Sequence, residues 1–496
     1  MRFLTKNIKE NTSDIIITFI YENQKTSSEL FEYLNELSNG ELAKQIFEFK
    51  TIKGSLCETF KYSINKSKKV IVAGLGKKEC LTRQKFSQVV ASAARCTKNI
   101  VGAKSLGFEL IENKNKCSCE FSDFSKSEAA RIIFTSARIG LYEFNKYLSD
   151  KKETIESIVL IDNEITSEIE YGAQVGAYTS FAMKFAKDLI NESAQIVTPE
   201  YIACLAQEIA KEHKLEAKIF NLSQIQEQGM NAFLAVGQGS TNEPKFIHLT
   251  YRPKNGKIRK KIALIGKGIT FDSGGLDIKP ATSMLTMKTD MSGTASVLGV
   301  IQAIAKIQPE IELHVISALC ENMPSGKAYK QGDVLVAKNG KTIEVDNTDA
   351  EGRITLADAL CYADTLEVDE VIDIATLTGA VIVSLGHNIT GVMGNNQKQI
   401  DKFIEISKLS CENTWQMPIL EEMKDNLKSE IADMKNTGGR NAGTSTAAWF
   451  LSNFTKSNSW LHLDIAGTAA PEKSNKETLG GPTGVMIRTL INYLIS

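Results

Sequence analysis

The sequence predicts an α/β protein of two domains, a smaller N-terminal α/β domain and a larger C-terminal domain whose mostly parallel central sheet is flanked by helices. Three observations predict this. The chain has 496 residues, beyond the size at which a single hydrophobic core usually stops growing. Apolar runs of strand length alternate with stretches of helical periodicity, a rhythm that implies parallel strands with helices on both faces. Between residues 164 and 191 one proline-free run places Ile169, Ala173, Val175, Ala177, Phe181, Phe185 and Leu189 at helical spacing, which reads as one long helix between two regions. The expected division is residues 1–165 as the N-terminal domain, 166–192 as the linking helix and 193–496 as the C-terminal domain.

In the first region strands are expected at 15–21, 69–75 and 155–161, with helices at 29–37 and 86–94. Gly74, Gly76 and Lys77 follow the second of these strands. They lack the further glycines of a phosphate loop or a dinucleotide fingerprint, so the stretch reads as a strand-to-helix turn. After the linking helix, Thr198 is placed to cap, and Pro199 to open, a helix reaching residue 212. From Lys261 the rhythm is regular. Strands are expected at 262–265, 312–318, 370–376 and 460–465, helices at 295–307 and 355–365, and a last helix at 484–494. Ligands of such sheets bind at the carboxyl ends of the strands, so the loops leaving them are where chemistry is sought.

Composition excludes several classes. Hydrophobic residues at 42% and charged residues at 24% are ordinary for a globular chain. A net charge of -1 gives no global case for nucleic acid or an anionic membrane. Lys66, Lys68, Lys69, Lys77 and Lys78 are the local basic set that keeps a DNA-binding or regulatory role as the alternative. The nine cysteines show no C-x-x-C spacing, Cys117 and Cys119 being one residue apart. That fits neither a disulfide framework nor a thiolate zinc site, and a cytoplasmic location is expected. Glu10 and Asp14 interrupt the approach to the apolar run at 15–20, which reads as a strand and not as a signal peptide. The apolar region 371–385 contains Asp373, threonines and a serine, so no membrane span is expected.

Three loop segments concentrate chemistry. The first strand of the second region runs into residues 266–280, which have four glycines in ten residues and carry Lys267, Asp272 and Lys279. Asp290 precedes the helix expected at 295, where it is either an acid favouring the helix dipole or a ligand. Asn347 to Arg353 sets Asp349, Glu351 and Arg353 on alternate positions. Read as extended chain, that period of two aims all three to one side. Such a cluster is either a solvated turn or a site for a hard divalent cation. With Asp272 and Asp290, four carboxylates stand at sheet-end loops, enough for two divalent metals. The five histidines form no H-E-x-x-H, and His462, inside a strand, reads as a hydrogen-bonded core residue. No G-x-S-x-G elbow is present.

These residues resemble the leucyl aminopeptidase family of dinuclear-zinc metallopeptidases, also called cytosol aminopeptidases. The resemblance rests on 347–353, 266–280, Asp290, 373–380, 436–440, 462–467 and 481–484. It implies metal-assisted hydrolysis of N-terminal residues, preferably leucine and other apolar ones, from peptides with a free N-terminus. Lys267, Asp272, Asp290, Asp349 and Glu351 would hold two divalent ions, zinc or manganese, with Asp272 and Glu351 bridging. Lys279 would stabilise the developing oxyanion and Arg353 would hold a bicarbonate as general base. Met287, Asn347, Thr376, Leu377 and Gly379 would line the substrate site. The resemblance also implies a homohexamer. Thr289, Ser292 and Thr294 stand where the family more often has alanine or glycine.

Overall fold

The computed structural model describes residues 1–23, 28–98, 100–114, 122–150, 154–474, 477 and 480–496. Cys117 and Cys119 lie outside the described residues. The chain divides into two compact units, Met1–Lys184 with Lys473–Gly480, and Phe185–Glu472 with Gly481–Ser496. The long helix is present as Ser167–Asn191, and the division falls within it.

The first unit is built on a six-stranded sheet. Its strands are β1 (Arg2–Lys6), β2 (Ile15–Ile20), β3 (Thr59–Ser63), β4 (Lys69–Gly74), β5 (Ser105–Glu109) and β6 (Ser157–Ile161). They run in the order β1-β6-β5-β2-β4-β3. All pairings are parallel except β3 with β4. β2 is buried at every position, as a central strand covered on both faces must be. Ile16, Ile20, Val70 and Val72 pack with Leu30, Phe31 and Leu34 of the helix Glu29–Leu37. Helix Arg83–Arg95 starts three residues before the expected 86, because Thr82 caps it by accepting from Lys85 N.

The second unit holds a nine-stranded sheet. Its members are β7 (Glu216–Phe220), β8 (Lys245–Tyr251), β9 (Lys260–Gly266), β10 (Gly268–Asp272), β11 (Ile311–Asn322), β14 (Glu370–Ala375), β15 (Thr390–Gly394), β16 (Thr414–Gln416) and β18 (Trp460–Asp464). A small three-stranded sheet adds β12 (Val334–Val336), β13 (Thr342–Glu344) and β17 (Met434–Lys435). The large sheet runs β16-β15-β18-β14-β9-β11-β8-β7, with β10 beside β11. Its centre, β11-β9-β14-β18, is parallel throughout. The carboxyl ends of these strands therefore share one edge. The helix Ser292–Ile307 and the helix Glu351–Ala363 contribute wholly buried stretches, and the latter packs Ile354, Ala357 and Leu360 with Val371 and Trp460 of the sheet. Thr198 caps helix Pro199–His213, with proline at its first turn as expected.

Three expectations are corrected. Residues 268–272, expected as glycine-rich loop, form β10, pairing in parallel with Leu319–Asn322 of β11. A Cβ on Gly268 would lie 2.6 Å from Ser317 Oγ and 2.7 Å from Ala318 O, so this glycine serves close strand approach and not a turn. Residues 347–353 are not extended: a helix begins at Glu351, and Arg353 lies in its first turn. The alternation of charges there was thus not a strand period. The last helix runs Ile487–Ile495, starting three residues after the expected 484. Gly484 and Met486, with φ of +68° and +64°, lie outside helical space.

Candidate metal centre

Lys267 follows the end of β9, Asp272 ends β10, and Asp290 caps the short turn Met287–Thr289 just ahead of the helix Ser292–Ile307. Asp349 sits in the turn before the helix Glu351–Ala363, and Glu351 is its first residue. These elements end at the shared carboxyl edge, and the fold brings the five side chains together. One carboxylate oxygen each from Asp272, Asp290 and Glu351 lie within 4.8 Å of one another, and all three residues are buried. Acids at a helix start also meet its free N–H groups and positive dipole end, which offsets part of the cost of burying charge.

Two lysines thread this acid cluster. Lys267 Nζ lies 2.7 Å from Asp290 Oδ2 and 2.9 Å from Glu351 Oε1, and donates to Thr376 O at 2.9 Å. Lys279 Nζ lies 2.8 Å from Asp272 Oδ2 and 2.5 Å from Asp349 Oδ1. The cradle for Lys267 depends on Gly352, where an added Cβ would lie 2.3 Å from Lys267 Cε. Burial opposes the Lys267 ammonium, but the carboxylates of Asp290, Glu351 and Asp272 outweigh it and raise its pKa above the usual lysine value. Burial opposes Lys279 too, and Asp272 and Glu351 raise it in the same way. Burial pushes Asp272, Asp290 and Asp349 up, with neighbouring acids adding to it. A buried site that charges its carboxylates this reluctantly is one that extra positive charge would stabilise. Glu351 supplies the fit test: its Oε2 is buried and has no hydrogen-bond partner among the described residues. An acceptor-only oxygen in that position suits a cation.

Arg353 departs from the acids. It is buried, donates from Nη1 to Asn436 O at 2.9 Å, and its Nε has no partner among the described residues. Burial lowers its pKa to about 10. A desolvated guanidinium with an open donor fits a small anion.

Of the expected substrate residues, Thr376 is tied into the acid cluster. Its Oγ1 donates to Asp290 Oδ1 at 2.7 Å. Leu377 N donates to Asp464 Oδ1 at 3.2 Å. Gly379 opens the helix Gly379–Leu385, and a Cβ there would meet no atom within 4 Å. Met287 precedes Asp290 by one tight turn, accepting from Asp290 N at 3.4 Å. Asn347 uses its side chain locally, its Oδ1 accepting from Asp349 N at 2.6 Å. His462 is buried, with Nδ1 2.5 Å from Asp373 Oδ1, while Trp460 Nε1 donates to Asp373 Oδ2 at 2.8 Å.

Sequence reading missed several supports. Asn322 Nδ2 donates to Asp272 Oδ1 at 2.9 Å and to Thr348 O at 3.0 Å. Asp277 Oδ2 accepts from Thr348 N at 2.7 Å, and Tyr329 OH donates to Thr348 O at 2.6 Å. Asn322 ends β11, four residues beyond the expected strand end at 318. Following the apolar run to its true carboxyl end was the signal that would have found it.

Residues 184–491 match the model of the cytosol aminopeptidase family, catalytic domain, and residues 17–151 match that of its N-terminal domain. A probable cytosol aminopeptidase of Persephonella marina is 37% identical over 502 residues, covering 100% of this chain and 99% of the relative. One of Aquifex aeolicus is 39% identical, covering 100% and 98%. Among solved structures, a mutant of tomato leucine aminopeptidase superposes with a TM-score of 0.87 at 32% identity, covering 100% of this chain and 96% of that one. A bottromycin maturation enzyme in complex with Mn gives 0.85 at 27% identity, covering 98% and 99%.

Proposed function

The chain belongs to the cytosol aminopeptidase family and is a metalloaminopeptidase, and on that premise we propose that it releases N-terminal residues, leucine and other apolar ones first, through a two-metal centre. The observation that carries the reading is the convergence of Lys267, Asp272, Asp290, Asp349 and Glu351 at one strand edge, with Glu351 Oε2 buried and unpartnered. In this reading those five residues would hold two divalent ions, zinc or manganese, with Asp272 and Glu351 serving both. Oxygen-rich ligation with one amine suits either metal. When bound, such ions supply Lewis-acid polarisation of the scissile carbonyl and a nucleophilic water at neutral pH.

The chain's own groups do the rest. Beside a dication Lys267 would give up its proton and offer the amine lone pair. Lys279, already held as an ammonium between Asp272 and Asp349, is preorganised to meet negative charge developing on the carbonyl oxygen. Arg353, buried with an open Nε, would hold bicarbonate through its guanidinium, which would place a general base beside the reacting water. Met287, Asn347, Thr376, Leu377 and Gly379 would line the substrate site, and the open space at Gly379 would accept the first side chain. We place the enzyme in the cytoplasm as a homohexamer. The test is release of leucine from a leucyl amide by the purified chain with added Mn²⁺ or Zn²⁺. Turnover that depends on metal is expected, and no turnover with metal fully loaded would refute the reading.

A further inference from the structure

The turn that leaves β14 carries two jobs of the proposed site: Thr376 touches Asp290 and accepts from Lys267, and Gly379 opens the space for the first side chain. What fixes this turn is a residue with no assigned part, Asp464 at the carboxyl end of β18. The two strands are parallel neighbours with Ala375 opposite Asp464, so the carboxylate is delivered directly beside the turn. Its Oδ1 accepts from Leu377 N at 3.2 Å, Thr378 N at 3.4 Å and Ala466 N at 3.2 Å. Its Oδ2 accepts from Thr378 Oγ1 at 2.6 Å. Thr378 Oγ1 in turn accepts from Val381 N at 3.1 Å, capping the helix Gly379–Leu385, and lies 3.1 Å from Thr444 Oγ1 of the helix Gly443–Ser452. Asp464 is only 1% exposed, so each of these bonds replaces a solvent contact that the turn cannot otherwise make.

We infer that Asp464, acting through Thr378, is a positioning residue that sets substrate specificity, by holding the space at Gly379 in fixed register with Thr376, the end of the same turn that hydrogen-bonds Lys267 and Asp290. The inference rests on the aminopeptidase reading and on Gly379 bordering the pocket. Loosening the clamp would let the turn at Gly379 move against the metal-binding residues, and a displacement of about 1 Å costs up to about 100-fold in a reaction that depends on alignment. The effect should fall hardest on side chains long enough to reach that turn, since each buried methylene contributes about 10-fold or more to discrimination.

The experiment compares kcat/KM for leucyl and alanyl amides in the metal-loaded full chain. Asp464→Ala and the milder Thr378→Val are predicted to lower the leucyl-to-alanyl ratio about 10-fold, chiefly through KM. The double variant should add little, metal content should stay at the parental value, and Asp464→Asn should recover most of the ratio. Gly379→Val separates the two layers, because a side chain growing into the pocket must also depress leucyl turnover. If Gly379→Val shifts the ratio and neither clamp variant does, the clamp is overturned while the pocket stands. If Gly379→Val leaves the ratio untouched, the pocket reading falls and the inference falls with it. Thr378→Val keeps the test decisive should Asp464→Ala fail to fold.

Discussion

At Gly352 one added carbon would sit 2.3 Å from Lys267 Cε, closer than carbon atoms can approach. Gly352→Ala must therefore push Lys267 out of its ion pairs with Asp290 and Glu351. The expected outcome is loss of turnover by about 100-fold or more with the circular dichroism of the parent retained; a variant within about twofold of the parent would show that the Lys267 position does not matter. The residues that read clearly from sequence share one property: each is a charged side chain downstream of an apolar strand run, at a strand end or just before or at a helix start, as Asp272, Asp290 and Glu351 are. Asn322 and Asp277 did not read, because a single amide or acid has no spacing that distinguishes it from a surface residue. The part of Asn322 appears once β11 is followed to its end, with Asn322 Nδ2 at 2.9 Å from Asp272 Oδ1, and that of Asp277 once Thr348 N is seen to donate to it at 2.7 Å.

At the scale of elements, the helix Glu351–Ala363 is tied to its surroundings by Asp358, which is fully buried. Its Oδ2 accepts from Phe233 N at 2.8 Å in the helix Asn231–Gly237, and its Oδ1 from Lys338 N at 2.7 Å. Burial pushes its pKa up to about 7. The folded chain thus keeps this proton to a higher pH than the unfolded chain, whose Asp ionises near about 4. Stability from this group is complete below about pH 4 and is lost as pH rises toward 7. The unfolding free energy of the parent, measured relative to Asp358→Asn, should fall across that window; a flat or rising difference would contradict the assignment. The same helix shows why local sequence reading erred. Alternation over Asp349, Glu351 and Arg353 suggested extended chain, whereas packing of Ile354, Ala357 and Leu360 onto Val371 and Trp460 decides for helix from Glu351 onward. β10 was misread for the opposite reason, since Gly268 signals a turn in sequence but close strand approach in space.

For the whole molecule, two units on separate sheets follow from a chain of this length and alternation. The parallel core β11-β9-β14-β18 explains why residues between 267 and 351 in sequence reach one edge. Sequence conveyed that edge through its strand rhythm; it did not convey β7, β8 or the small sheet of β12, β13 and β17, whose runs are short or mixed in polarity. Assembly is a proposal at this scale. Light scattering of the purified chain should give a mass near six protomers, and a monomer at assay concentration would refute the hexamer. Whether Glu351 and its four neighbours hold two ions on which turnover depends is decided by metal analysis of the full chain with activity measured on the same samples. Two ions per chain and leucyl amide turnover are expected in the parent, and loss of both in a folded Glu351→Ala. A Glu351→Ala chain that keeps both ions and full turnover would contradict this.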